Sequence, residues 1–499
     1  MDLVLAVSLS AVLGLVLFQA LHFLTTKNEK NKAKLPPVPA PSPIIGNLLD
    51  LGDKPHKSLA KLAKIHGPLM SLKIGQVTTV VISSASVARE ILQKHDSIFS
   101  NRTIPDAVRA LDHHEFGIPW LPVASAWRNL WKVCNSYIFT TQKLDANQEL
   151  RRKKVQELVV DVQEHCPAGK AVDVGQAAFR TTFNALSNTA LSLDLSDSSS
   201  DTAQRFKEVV RGVMDEIGKP NLADYFPIFQ YIDLQGIKRR TAIHFRKIFD
   251  FFDHIINERL QGRNVKGYLP TDDMLDTLLS ISQENSDLMN KNYIKHFFLD
   301  LFAAGTDTTS STMEWAMAEL LGNPRILRKA REELEQTIGS GNMVEESDIA
   351  RLPYLQAIIK ETLRLHPAVP LLPRKAGEEV EVCGFTITKG ARVLVNAWAI
   401  GRDPSIWEDP DSFVPERFLG SNIDFKGQNV EFIPFGAGRR ICPGLPLAIR
   451  MLHLMLGSLL HSFDWQLEDG VTPENMDMED RFGFTVVKDQ PLRAIPIQP

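Results

Sequence analysis

Apolar side chains recur every three or four residues along most of the chain beyond residue 85, the spacing of amphipathic helices. It predicts helices over 87–95, 145–165, 201–217, 235–263, 271–284, 290–321, 324–338 and 352–365. A last helix starts beside Cys442 and runs to about residue 463. Two short β-type runs, 69–74 and 78–82, flank Gly75-Gln76 and predict a hairpin. Strand-like stretches return at 380–387 and 392–399. The expected fold is mainly α with small β-sheets at its edge. Strands and helices do not alternate, which excludes a doubly wound parallel sheet.

The first residues break this pattern. Between Leu3 and Leu24 the only polar side chains are Ser8, Ser10, Gln19 and His22, and the run is long enough to cross a bilayer. Lys27, Lys30, Lys32 and Lys34 follow, so the segment after the span is expected in the cytosol. A cleaved signal peptide would carry its basic residues in front, where this chain has Asp2. Then comes Leu35-Pro-Pro-Val-Pro-Ala-Pro-Ser-Pro43, whose prolines fix φ and favour a stiff, extended spacer. The expected organisation is a membrane anchor helix at 1–26, a basic and proline-rich hinge at 27–46 and one catalytic domain at 47–499.

With 499 residues, 44% of them hydrophobic and 23% charged, the chain can bury a large core. A formal charge of −4 offers no broad basic field, so nucleic acid is not an expected partner. The four cysteines, Cys134, Cys166, Cys383 and Cys442, include no C-x-x-C pair, which argues against a zinc site and for reduced thiols.

Cys442 stands apart. It lies in Phe435-Gly-Ala-Gly-Arg-Arg-Ile-Cys-Pro-Gly444, after a glycine turn, near Arg440, where a helix begins. A lone cysteine is usually inert packing. Here Gly436 and Gly438 permit a tight turn, Pro443 suits a first helical turn, and the setting favours a thiolate. Elsewhere, Glu361-Thr-Leu-Arg364 places opposite charges three apart on a helix, and Pro415-Glu-Arg-Phe418 follows. Alone, such a pair describes any solvated helix face. Ala304-Gly-Thr-Asp-Thr-Thr309 puts a glycine and four polar residues in mid-helix, which is locally unfavourable.

Together these motifs resemble the cytochrome P450 monooxygenases, and the likeness runs from the anchor to the C-terminus. Stretches such as Pro55-His-Lys-Ser-Leu-Ala-Lys-Leu62 and Lys219-Pro-Asn-Leu-Ala-Asp224 are similar to the plant microsomal terpenoid hydroxylases of that family. The resemblance implies haem b, with Cys442 as axial ligand of its iron. It implies cofactor contacts from Arg440, Trp127, Arg128, Arg374, Phe435 and Gly436. It makes Thr308 and Asp307 a proton relay and joins Glu361, Arg364 and Arg417 in a buried network under the cysteine loop.

Phe302, Ala303, Val369, Leu371 and Phe484 are expected in the substrate pocket. The implied reaction is hydroxylation of a terpenoid, a monoterpenol such as geraniol at C8, with an abietane-type diterpenoid as the alternative. Less favoured are a reductase-independent haem-thiolate isomerase and a non-catalytic haem protein. The implied partners are O2, NADPH-cytochrome P450 reductase and membrane lipid, with a single-pass anchor in the endoplasmic reticulum. Two departures from the family pattern stand out. Trp131 occupies a position that usually holds arginine, leaving Arg128 or Lys132 as substitutes. Pro370-Leu-Leu-Pro373 is one residue short between its prolines.

Overall fold

The computed structural model describes residues 34–195, 201–271 and 273–498. The anchor expected at 1–26 lies outside them. The hinge is described from Lys34 onward, where it is pinned to the catalytic body. Lys34 accepts a hydrogen bond from the Thr386 amide at 2.8 Å, and Pro37 accepts one from Ser71 at 2.8 Å.

The helices follow the apolar periodicity closely. They include Ile237–Arg263, Lys291–Gly322, Pro324–Ile338, Pro353–Leu365 and Leu445–Ser462. The central one, Lys291–Gly322, is 32 residues long, and Asn290 caps it by accepting from the Asn292 and Tyr293 amides. Its Ala304–Thr309 stretch stays helical because its hydroxyls bond back to the helix's own carbonyls. Thr308 Oγ1 donates to Ala304 at 2.7 Å and Thr309 Oγ1 to Gly305 at 2.9 Å.

Val174–Leu191 packs along this helix and escapes the sequence pattern, since 14 of its 18 residues are buried and no polar stripe marks it. Gly305 lets the two helices approach: a Cβ there would lie 3.0 Å from Leu186 Cδ1. Leu445–Ser462 is the one helix among the described residues long and apolar enough to cross a membrane, yet it lies mostly buried in the core.

The expected hairpin forms as β1 (Leu69–Ile74) and β2 (Val77–Ile82), with Leu69 opposite Ile82. Both later strand expectations are too long. The run 380–387 splits into two strands at Cys383-Gly384, whose φ values of 50° and 76° make a turn. The run 392–399 ends at Asn396, whose side chain caps a helical turn by accepting from Ala399 at 3.0 Å. Strand Arg392–Asn396 runs parallel to β2 and antiparallel to Leu371–Lys375, closing a four-stranded sheet.

The C-terminal segment is tied to the first helix, Pro55–His66. Asp480 accepts from His56 Nε2 at 2.7 Å and pairs with Lys57 Nζ at 2.7 Å. Burial alone would raise this carboxyl, but the hydrogen bonds from His56 and Lys57 outweigh it and hold it well below the usual carboxylate range. A depressed carboxylate stabilises the fold above its unfolded pKa of about 3.9 and ceases to as pH falls through its lower folded value. Asp480→Asn is therefore expected to lower Tm by about 1–3 °C at neutral pH. Calorimetry at stepped pH should show the gap to wild type narrowing progressively below about pH 4.

Candidate functional site

The cysteine loop owes its path to two glycines. Gly436 and Gly438 have φ of 75° and 67°, and a Cβ on Gly438 would collide with the Leu92 carbonyl and Asp96. The Cys442 amide donates back to Phe435 at 3.0 Å, and the helix Leu445–Ser462 starts immediately after. Burial pushes the Cys442 thiol up, while the Gly444 and Leu445 amides and Arg102 pull against it. The sequence setting favours a thiolate; the folded setting, by itself, does not. An ionised sulfur here needs a cation bound to it.

Cys442 lies in the wall of a cavity of about 1180 Å³. Arg102, Arg374 and Arg440 share that wall. Burial lowers all three, Arg102 to about 10 and the other two to about 9; Arg102 depresses Arg374 and Arg440 further, while Cys442 and Asp300 oppose the fall of Arg102 itself. Among the described residues none has a carboxylate within ion-pair distance. Their partners are backbone carbonyls. Arg102 Nη1 donates to Pro119 at 3.3 Å, and Arg374 donates to Pro373 at 2.9 Å and Ala437 at 3.4 Å. Arg440 donates to Ser100 at 2.7 Å, Ile118 at 3.0 Å and Leu121. Arg102 Nε has no partner. Clustered guanidinium groups beside a thiol that needs a cation fit a metal porphyrin with two carboxylates.

The cavity includes a second thiol, Cys134, which burial pushes up to about 12, and no arginine lies among the causes of its shift. Cys442 is therefore the better ligand of the two. Trp127 lies under the Arg440 guanidinium at 4.9 Å and stacks on Trp131 at 5.0 Å. Arg128 does not reach the cavity. One residue on from Trp127, it is turned about 100° around the helix and is exposed, as is Lys132. Neither replaces the arginine missing at Trp131. Arg102, not among the expected cofactor contacts, supplies the third guanidinium. Its neighbours in the chain carry no signal; only the fold brings it to Cys442. Phe435 and Gly436 line the cavity as expected.

Thr308 lines the cavity, whereas Asp307 does not. Val369, Leu371 and Phe484 also line it. Phe302 is a correction. It is fully buried among Phe183, Phe206 and Phe252, in the core rather than the pocket. Ala303 is absent from the cavity wall too. The long helix presents Phe297, Leu301, Ala304, Gly305, Thr308, Thr309 and Thr312 there, a face that misses 302 and 303. Asp300 shares that wall and was also missed. It accepts from the Ile118 amide at 2.9 Å and pairs with His113 at 3.1 Å, tying the 106–121 loop to the helix.

Glu361, fully buried, accepts from Arg364 Nε at 2.7 Å and Nη2 at 2.8 Å. It also takes Arg417 Nε at 3.0 Å and the Val414 amide at 2.8 Å. Arg364 spends its other donors on the Gly401, Pro410 and Ser412 carbonyls.

Comparison with known proteins agrees with this geometry. The Cytochrome P450 family profile matches residues 36–493. The chain is 55% identical to geraniol 8-hydroxylase of Swertia mussotii, over 98% of each chain. It is 54% identical to geraniol 8-hydroxylase of Catharanthus roseus, over 99% of each. Drimenol monooxygenase of Persicaria hydropiper is 50% identical over 99% of this chain and 97% of its own. A solved zebrafish cytochrome P450 with abiraterone superposes with a TM-score of 0.75 at 26% identity, covering 90% of this chain and 100% of that one. The chain belongs to the cytochrome P450 family, and its cofactor is haem.

Removing the Glu361 charge leaves the buried Arg364 and the half-buried Arg417 without their anion. Glu361→Gln is expected to cost about 3–5 kcal/mol, read as a lower denaturant midpoint at unchanged slope.

Proposed function

We propose that this cytochrome P450 hydroxylates a terpenoid alcohol, geraniol at C8, as a membrane-anchored haem-thiolate monooxygenase. One oxygen atom of O2 enters a C–H bond. The other leaves as water, with two electrons from NADPH-cytochrome P450 reductase and two protons from solvent. The observation that carries the reading is the single cavity that holds Cys442, three carboxylate-free arginines and Thr308. The names of the relatives point to the substrate.

When bound, haem supplies the oxygen-activating iron, made electron-rich by a thiolate ligand. The chain does the rest. Cys442 provides the sulfur, and the Gly444 and Leu445 amides temper its charge. Arg102, Arg374 and Arg440 would hold the haem carboxylates, with Trp127, Phe435 and Gly436 shaping the bed. Glu361, Arg364 and Arg417 brace the segment leading to the cysteine loop. Val369, Leu371 and Phe484 exclude water and orient an apolar chain. Thr308 presents a hydroxyl to the cavity, and Asp307, next in the helix, resupplies its proton.

A proton relay has no use in a reductase-independent isomerase, which is why the monooxygenase reading is preferred. Residues 1–26 anchor the protein in the endoplasmic reticulum membrane, 27–46 form the hinge, and 47–499 face the cytosol.

Cys442→Ala should abolish the far-displaced Soret peak of the reduced, carbon monoxide-treated protein; a normal peak would remove Cys442 as ligand. Thr308→Ala should keep that peak but consume severalfold more NADPH per 8-hydroxygeraniol, measured with reductase present.

A further inference from the structure

Asp307 and Thr308 are consecutive, yet only Thr308 lines the cavity. The Asp307 carboxylate is instead engaged by Thr485, whose Oγ1 donates to Oδ2. Thr485 is 3% exposed and lies in the C-terminal loop, directly after the cavity-lining Phe484. That loop is firmly held. Ser311 Oγ donates to the Val486 carbonyl at 2.8 Å, and the Val486 amide donates to Ala368 at 2.9 Å. On its other side Gly218 abuts the Phe484 backbone so closely that a Cβ would not fit.

The remaining groups that face Asp307 are charged and exposed: Arg211 and Asp215 on helix Asp201–Gly218, and Arg481 after Asp480. Asp307 thus has solvent-side charges around it and is followed in the chain by the threonine that lines the cavity.

We propose that Thr485 is the positioning residue of the proton relay, holding Asp307 so that it takes protons from the Arg211–Arg481 side and passes them to Thr308. The idea deepens the relay assigned above and rests on it. Asp307 accepts one proton from solvent. It gives that proton to the Thr308 hydroxyl oxygen, which releases its own hydroxyl proton into the cavity. Both residues end as they began. A threonine hydroxyl suits the task because it donates to the carboxylate and, by rotating, accepts from the acid. The carboxyl therefore keeps its place in both protonation states. Burial raises the Asp307 carboxyl, and the Thr485 bond opposes that rise. Because Phe484 and Thr485 are neighbours, the loop that shapes the substrate pocket also sets the proton supply.

The test compares Thr485→Val, Thr485→Ser and Asp307→Asn in the full-length haem protein. Carbon monoxide spectra and spectral titration with geraniol first confirm that Thr485→Val keeps its haem and pocket. Two readouts follow. One is NADPH consumed per hydroxylated geraniol across pH. The other is infrared titration of the carboxyl band that Asp307→Asn removes, which needs no turnover.

Thr485→Val should raise NADPH use per product about fivefold and move the carboxyl midpoint upward, since a donor to the charged form is lost. Thr485→Ser should restore both. Wild-type coupling and an unmoved midpoint in Thr485→Val, with Asp307→Asn uncoupled, would overturn the assignment while leaving the relay intact. If Asp307→Asn and Thr308→Ala were also fully coupled, the relay would fall and the role of Thr485 with it.

Discussion

Charge buried around one cavity governs this structure. Arg102, Arg374 and Arg440 are drawn together at the wall that carries Cys442, and none finds a carboxylate among the described residues. Like charges held in a poorly solvated place depress one another, which is visible in Arg374 and Arg440. The thiol is pushed the other way, toward its neutral form. A porphyrin with a bound cation and two carboxylates would resolve both problems at once: its metal would replace the thiol proton, and its carboxylates would neutralise guanidinium groups. Backbone carbonyls already fix the arginines, so the ligand meets a prearranged set of donors and little side-chain freedom is lost on binding.

The Glu361 cluster shows the same chemistry solved internally. Its carboxylate takes four donors, two of them from Arg364, so the buried anion is fully engaged. Arg364 and Arg417 then reach the carbonyls of Gly401, Glu408, Pro410 and Ser412. They fasten an irregular stretch that has few ladder bonds of its own. A closed ion network marks scaffold, and an open cluster of one sign marks a receptor. The contrast separates two groups of buried arginines that composition alone would treat alike.

What could be read in the chain was whatever has local cause. The cysteine loop was legible because its glycines answer to backbone geometry and its proline to a helix start. Amphipathic helices such as Pro324–Ile338 were legible to the residue. Val174–Leu191 was not, because burial on all sides erases the stripe on which periodicity depends. Phe302 was misplaced for a related reason. Sequence gives a helix its residues in order but not the angle at which its faces meet the rest of the protein. Phe297 and Leu301 fell to the cavity and Phe302 to the aromatic core. Arg128 failed by the same rotation, and Arg102 was invisible because its contacts come from Pro119 and the distant Cys442.

That rotation also bears on the proposed relay, whose acid and alcohol are adjacent. A helix advances about 100° per residue, so neighbours point in different directions, although adjacent residues such as Thr308 and Thr309 still border one cavity. The long helix is the wall between the cavity and the C-terminal loop. A proton that crosses this wall must pass from one face of the helix to another. Residues three or four apart would share a face and leave the wall uncrossed. Asp307 and Thr308 differ by one step, which places Thr308 on the cavity and Asp307 against Thr485. Their adjacency in sequence follows from the thickness of a single helix, and it needs no opening in the backbone. The hydroxyls of Thr308, Thr309 and Thr312 return to carbonyls of the same helix, so the polar stretch keeps its helical backbone.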